Sequence, residues 1–159
     1  MIRRATESDL PRVLQIYAAA RAFMKRSGNP TQWGDRHPAP DILQEDIRQS
    51  RLYVVSDPDG RIWGCFVMMS GPDRTYQVIE QGSWRQDAPY GVLHRVASDG
   101  TKTGLVAMCI SFAAQQYSYL RIDTHKDNLP MQRAVEKLGF VRRGIIYVED
   151  GTPRIAYDR

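Results

Sequence analysis

Apolar side chains recur every three or four positions in several parts of the chain, a spacing that predicts amphipathic helices. In the first of these segments the apolar positions run from Leu10 to Ala18 and follow Thr6, whose hydroxyl can cap a helix. Gly28 ends this segment, as glycine often does at a helix C-terminus. Further helices are predicted at residues 41–50, 105–113 and 128–139.

Short runs rich in β-branched and aromatic residues separate these helices and predict strands. Two of the runs flank the turn sequence DPDG at 57–60 and predict a hairpin over residues 51–70. A second hairpin is predicted around the turn at 149–152. Single strands are predicted at residues 2–6, 75–81, 90–98 and 119–124.

The order of these elements predicts an α/β fold. A strand, a helix and a strand in succession imply a parallel pair with a right-handed crossover, whereas hairpins imply antiparallel neighbours. We therefore expect a mixed central sheet of about six to seven strands, flanked on both faces by about four helices. Since 159 residues is an ordinary size for one domain, residues 1–159 are interpreted as a single domain.

Composition and charge narrow the classes of function. The chain is 42% hydrophobic and 25% charged, as is usual for a globular protein. Its formal net charge is +4, but the Lys and Arg residues are scattered. Such a pattern indicates a solvated surface or attraction to a small anion, and we expect no nucleic-acid partner. A small nucleic-acid-binding domain stays as an alternative that rests on the basic charge alone.

Both cysteines, Cys65 and Cys109, lie in apolar runs and are interpreted as free, buried residues in a reducing compartment. No apolar run approaches the ~20 residues that would span a bilayer. The first residues, MIRRATESDL, lack the apolar core of a signal peptide. We therefore expect a cytoplasmic protein with no membrane partner, and no metal site is predicted.

The stretch SDGTKTG, residues 98–104, joins a predicted strand to a predicted helix. The first turn of a helix has N–H groups without partners and a positive dipole end, which together favour anions. Gly100 and Gly104 leave the backbone accessible, and Lys102 and Thr103 add donors. The stretch matches neither a Walker loop nor a dinucleotide fingerprint. It indicates a phosphate cradle, with a plain strand-to-helix connection as the alternative.

Together with the segment NLPMQRAVEKLGF at 128–140, this loop resembles the GNAT superfamily of acyl-CoA-dependent N-acetyltransferases. In the family loop pattern [RQ]-x-x-G-x-[GA], Gly104 matches, while Thr101 and Val106 replace the first and last residues. In the family helix pattern, Asn128 and the Gly139-Phe140 pair match, and Val135 stands where a tyrosine that protonates the CoA thiolate is common.

The resemblance implies a GNAT-like fold and acetyl-CoA as the cofactor. It implies transfer of the acetyl group to a primary amine of a small molecule or peptide, and, because many relatives pair, a homodimer. It further implies that the backbone of Val96 and Ser98 binds the pantetheine arm of CoA. The predicted cofactor-binding residues are Val96, Ser98, Lys102, Thr103, Gly104, Leu105 and Asn128.

His94 is the first candidate for the general base, because it precedes the loop on its strand and histidine exchanges protons near neutral pH. Glu80 is the second candidate, acting directly or through water. A half-buried sheet histidine and a solvated strand carboxylate are the corresponding structural alternatives. Tyr147 is a candidate replacement acid, and His125 is expected to shape its loop. The aromatic candidates for the acceptor pocket are Trp33, Trp84 and Tyr90.

The acidic residues Asp35 and Asp41, near Trp33, point to a cationic acceptor. The main alternative function is a CoA-binding sensor or scaffold that has lost catalysis, for which Val106 and Val135 are the support.

Overall fold

Seven strands form one mixed sheet in the computed structural model, which describes residues 1–159. Numbered along the chain, the strands lie in the order β1-β2-β3-β4-β5-β7-β6, and only β4 and β5 are parallel neighbours. The predicted α/β class, with a mixed sheet of about seven strands, is confirmed. The strand bounds are β1 Ile2–Arg4, β2 Leu52–Ser56, β3 Ile62–Ser70, β4 Gly91–Ser98, β5 Leu120–Thr124, β6 Val141–Tyr147 and β7 Pro153–Asp158.

Four α-helices cover the two faces of the sheet, as the sequence predicts. The bounds are α1 Leu10–Arg26, α2 Pro40–Arg48, α3 Leu105–Ala114 and α4 Leu129–Lys137. The first two pack on one face through a core that includes Ile16, Leu43 and Val67, and the last two pack on the other face through a core that includes Cys109 and Val135. No helix combines the length and apolar content that crossing a membrane requires.

The two cysteines are buried and unpaired, one in each of these cores, which confirms that they are free, buried residues. Burial raises the pKa of the Cys65 thiol to about 12 and also raises the pKa of Cys109. Both side chains therefore behave as small hydrophobic residues and take no part in the site described below.

The predicted strand at 75–81 is wrong. Residues Arg74–Tyr76 form a 3₁₀ turn capped by Asp73, and the phenol of Tyr76 is buried by this turn. The segment then meets the sheet at one point, where Glu80 exchanges two backbone hydrogen bonds with Ile145 on the edge strand β6. A run of β-forming residues does not make a strand when a capped turn fixes its first half and one bridge holds its second.

Two irregularities of β4 shape the site. The pairs Cys65–Ala97 and Val67–His94 give β4 one more residue than β3 over the same length, which is a β-bulge. Farther along the sheet, β4 and β5 pair only at Gly91–Leu120 and Val92–Arg121. Because both strands continue beyond these pairs, their C-terminal parts diverge and open a gap in the sheet.

Candidate active site

The gap between β4 and β5 belongs to a cleft of about 790 Å3. Both diverging strands line it, β4 through residues 93–96 and β5 through residues 122–124. Three loops complete its walls on the α1 and α2 side, at residues 31–34, 72–75 and 148–150. A cleft that enters a sheet where two parallel strands separate gives a ligand access to the strand edges from both faces.

The bulge in β4 is held by a buried carboxylate. Arg95 has a left-handed backbone with φ +52°, which is unfavourable for a residue with a side chain. Its carbonyl accepts a hydrogen bond of 2.7 Å from the Tyr17 hydroxyl, and its guanidinium donates to Asp46 at 2.5 Å. Asp46 is fully buried and also accepts from Arg51 at 2.6 Å. Helices α1 and α2 thus fix the backbone beside the gap.

His94 lines the cleft and is hydrogen bonded to a carboxylate. Its Nε2 lies 2.7 Å from Oδ2 of Asp73, and 21% of its side chain is exposed. The other oxygen of Asp73, Oδ1, accepts from the backbone N–H and the hydroxyl of Thr75 at 2.9 and 2.7 Å. Because the ionised Asp73 can only accept hydrogen bonds, the His94 nitrogen that contacts it, Nε2, must carry a proton. In the neutral imidazole, Nδ1 is then the nitrogen that can accept a proton.

The charge of Asp73 is secured by these bonds. Burial raises the pKa of Asp73, but the hydrogen bonds from His94 and Thr75 outweigh burial and bring this pKa to about 2. The backbone N–H of Asp73 donates to the Tyr90 hydroxyl at 2.8 Å, which fixes the carboxylate relative to the start of β4.

A second carboxylate, Asp123 of β5, lies across the gap. Its Oδ2 is 3.9 Å from Nδ1 of His94 and accepts a hydrogen bond of 2.7 Å from the Tyr76 hydroxyl. Burial and then the charge of Asp123 raise the pKa of Tyr76 well above its usual value, so Tyr76 remains a donor. Nδ1 of His94 therefore faces the gap on the side of the Asp123 carboxylate.

The loop before α3 ends in a helix N-terminus without a side-chain cap. Gly104 occupies the N-cap position with φ +86°, whereas α4 is capped by Asn128, which accepts from the N–H of Met131 at 3.2 Å. A Cβ at Gly100 or Gly104 would meet nothing within 4 Å. The first N–H groups of α3 thus face open space, as binding of a diphosphate requires.

The rest of this loop is held in place by its own side chains. Asp99 accepts from the N–H and hydroxyl of Thr101 and from Arg12, and Ser98 accepts from the N–H of Gly100 at 3.0 Å. Lys102 pairs with Asp57 at 3.3 Å. An anion bound at this loop would have to compete with Asp57 for Lys102.

A family model described as acetyltransferase (GNAT) domain matches residues 1–141. The chain belongs to the GNAT acetyltransferase family. The resemblance seen in the sequence is thereby confirmed, although no curated protein shows significant similarity to this chain.

Several solved structures share the fold of this GNAT acetyltransferase. A GNAT-family acetyltransferase from Streptococcus agalactiae is 26% identical, with a TM-score of 0.88 and coverage of 100% of this chain and 94% of that chain. A ribosomal-protein-alanine N-acetyltransferase from Brucella melitensis is 19% identical, with a TM-score of 0.62 and coverage of 100% and 98%. An agmatine N-acetyltransferase is 11% identical, with a TM-score of 0.68 and coverage of 100% and 98%. The last two show likeness of fold alone.

The GNAT cleft contains some of the residues predicted from sequence. His94, Val96, Trp33 and Asn128 line it. The other predicted cofactor-binding residues lie outside the lining, from the end of β4 to the start of α3, and these are Ser98, Lys102, Thr103, Gly104 and Leu105. His125 shapes its own loop, because its Nδ1 accepts from the N–H of Asp127 at 3.1 Å, and burial lowers the pKa of His125.

Other predicted residues lie outside the cleft. The second base candidate, Glu80, accepts a hydrogen bond from the Tyr147 hydroxyl at 2.9 Å on the outer edge of the sheet. Neither side chain is part of the cleft lining. Trp84 and Tyr90 instead enclose the guanidinium of Arg121, whose carbon lies 4.3 and 4.1 Å from their ring centres. Both rings are thus engaged by this cation, and neither is part of the cleft lining, so their role in binding an acceptor stays a prediction.

Sequence reasoning missed Asp73, Tyr76 and Arg154, all of which belong to the site or contact it. Asp73 carries a local signal, because an aspartate two positions before a threonine often forms a capped turn. Nothing in the sequence connects it to His94, which is 21 positions later. That contact depends on how the segment before β4 folds back over the strand.

Proposed function

We propose that this protein transfers an acetyl group directly from acetyl-CoA to an amine of a small molecule or peptide. The observation that carries the proposal is the hydrogen-bonded pair of His94 and Asp73 in the gap of the sheet. His94 lies on β4, the strand that leads through the glycine loop to the uncapped start of α3. Bound acetyl-CoA supplies the thioester, whose acetyl group is the one transferred.

His94 takes up the proton that the acceptor amine must lose. A free alkylammonium has a pKa near ~10.4 and is not a nucleophile until it is deprotonated. Asp73 holds the proton on Nε2, so Nδ1 is the atom that accepts. The negative charges of Asp73 and Asp123 then lie beside the imidazolium that results.

The residues on the other side of the gap bind and orient the cofactor. The free N–H groups after Gly104, with Lys102 and Thr103, would hold the diphosphate, and the edge of β4 at Val96 and Ser98 would pair with the pantetheine arm. Backbone N–H groups on that edge would also polarise the thioester carbonyl. The bulge at Arg95 sets the direction of this edge.

Position 135 holds a valine, which cannot donate a proton. Val135 is buried in the core between α4 and the sheet. A CoA thiol is a tolerable leaving group near neutral pH, since the pKa of a thiol is ~8.5. The proposal therefore assigns proton uptake to His94 and leaves the departing thiolate without a tyrosine at that position.

The test combines calorimetry with acetyl-CoA and release of free thiol in the presence of a panel of amines. We expect binding at physiological salt and thiol release that His94→Ala reduces about 100-fold or more, with the Kd for acetyl-CoA little changed. The matched variant Glu80→Gln should keep wild-type turnover, because Glu80 lies outside the cleft.

Absence of acetyl-CoA binding would overturn the proposal. Binding without thiol release for any amine would favour the CoA-binding sensor instead. Full activity of His94→Ala would remove the base assignment and return that role to Glu80 or solvent.

A further inference from the structure

Four arginines line the cleft, and they differ in how their charge is balanced. Arg51 and Arg95 both pair with the buried carboxylate of Asp46, and Arg74 pairs with Glu149 at 2.7 Å. Arg154 makes no ion pair with any carboxylate within 4.0 Å. The cleft therefore contains one guanidinium whose positive charge is not matched by a direct partner.

Arg154 is buried, with 8% of its surface exposed. Its Nη1 donates to the Thr152 hydroxyl at 3.0 Å and to the Pro153 carbonyl at 2.9 Å, and its Nη2 donates to the Gln32 carbonyl at 3.5 Å. All three acceptors are neutral, and its Nε makes no hydrogen bond. Burial lowers the pKa of Arg154, although Asp123 and Asp150 act in the opposite direction. A buried cation without a counter-ion costs free energy that an anionic ligand would recover.

The strand register places this guanidinium on the same face of the sheet as Asp123. Ala156 pairs with Asp123, and Arg154 follows on the same face of β7, because alternate residues of a strand share a face. The residue between them, Ile155, lies on the other face and packs in the core with α3 and α4. Arg154 thus shares the face of Asp123 and contacts the loop that carries Trp33, away from the diphosphate side at α3.

We propose that Arg154 binds an anionic group of the acceptor, so that the substrate is a small amine that also carries a carboxylate or a phosphate. This inference rests on the proposed function and names the acceptor class for the same site. The amine lies at Nδ1 of His94 while the anion lies at Arg154, with Asp123 between them on β5. A planar guanidinium suits either anion, because both can accept two parallel hydrogen bonds from it.

Asp35 and Asp41 do not support the opposite choice of a cationic acceptor. Asp35 pairs with Lys25 on the exposed surface, and neither aspartate lines the cleft. The carboxylates that do line it near His94 are already engaged, Asp73 by His94 and Thr75 and Asp123 by Tyr76.

The experiment compares matched acceptors in the thiol-release assay with saturating acetyl-CoA. One arm uses an L-amino acid, its carboxamide and its decarboxylated amine, and the other uses O-phosphoethanolamine and ethanolamine. We expect kcat/KM for the anionic member of at least one arm to exceed that of its neutral partners about 10- to 100-fold, the range of a charge-assisted hydrogen bond. The arm that shows the difference identifies the anion as carboxylate or phosphate.

The variants Arg154→Gln and Arg154→Lys test the residue itself. Arg154→Gln should raise KM for the preferred acceptor about 10- to 100-fold and abolish its preference over the neutral partner. Arg154→Lys should restore part of that preference, because it keeps the charge but not the planar fork. The control Arg142→Gln removes the same charge from an exposed position of β6 and should leave the preference intact.

Acetylation of neutral amines as fast as anionic ones would overturn the inference while leaving the proposed function intact. A preference that survives in Arg154→Gln would equally overturn it. Failure of the proposed function is a different result, since no amine of either kind would then be acetylated. If Arg154→Gln does not fold, the comparison of acceptors with the wild-type protein still decides.

Discussion

Asp73→Asn should change which nitrogen of His94 carries the proton, with almost no change in shape. The Oδ1 position receives two hydrogen bonds from Thr75, so the amide oxygen of asparagine belongs there. The amide NH₂ then occupies the Oδ2 position and points at Nε2 of His94. Because an NH₂ group can only donate, Nε2 must become the acceptor, and the proton moves to Nδ1, where the base is needed.

The size of the effect follows from the cost of turning the amide round. The flipped amide would present its NH₂ group to the N–H of Thr75 and forfeit the bonds at 2.9 and 2.7 Å. Net losses of ~1 kcal/mol per hydrogen bond give about 2 kcal/mol in favour of the wrong tautomer. Since 1.4 kcal/mol is tenfold, kcat should fall about 30-fold.

The assay is thiol release, supported by long-range 1H–15N spectra that report which ring nitrogen is protonated. We expect the Kd for acetyl-CoA to be unchanged, and Asp73→Asn to have no effect in a His94→Ala background, because the two residues act as a unit. The matched control is Asp9→Asn, since Asp9 accepts from the N–H and hydroxyl of Thr6 in a similar way but lies outside the cleft, and it should keep the wild-type kcat. Wild-type kcat in Asp73→Asn, or an unchanged tautomer, would refute the reasoning.

Two further predictions concern the cofactor loop and stability. Gly104→Val should raise the Kd for acetyl-CoA at least about tenfold, because a β-branched side chain at φ +86° strains the loop and fills the space before α3. Calorimetry measures this, and Gly28→Val, with φ +87° and equally open space, should cause strain without loss of affinity. Asp9→Asn should lower the free energy of unfolding by about 1 kcal/mol at pH 7, since the hydrogen bond from Arg3 brings the pKa of Asp9 to about 2 and Arg3 is 45% exposed. This stabilisation is complete above the unfolded pKa near ~3.9 and is lost as pH falls toward 2, so urea unfolding at pH 7 and pH 3 should show a smaller difference at pH 3.

The sequence was sufficient for elements whose signals are local. The helix at α1 follows from apolar spacing, and the open turn before α3 follows from Gly100 and Gly104 beside a strand end. The position of His94 beside the cleft follows from its strand, which leads to that loop, whereas its role as a base stays a prediction. In each case the relevant residues are close together along the chain.

The parts that could not be read from sequence depend on distant contacts. The segment 75–81 has the composition of a strand, yet Asp73 caps a turn at its start and only Glu80 reaches β6. In the sequence, nothing distinguishes Arg154 from an ordinary strand residue. Its place in the cleft depends on the separation of β4 and β5 and on its contact with the loop at Gln32. Neither long-range pairing nor strand separation produces a periodic pattern of apolar residues in the sequence.

The buried carboxylate of Asp46 makes α2 part of the catalytic geometry without contributing a group that touches substrate. It holds Arg95, and Arg95 sets the bend of β4 immediately after His94. A shift of α2 would therefore rotate the strand edge away from the thioester while leaving every reactive side chain present. A substitution that moves α2 can therefore slow the proposed reaction without removing any group that reacts.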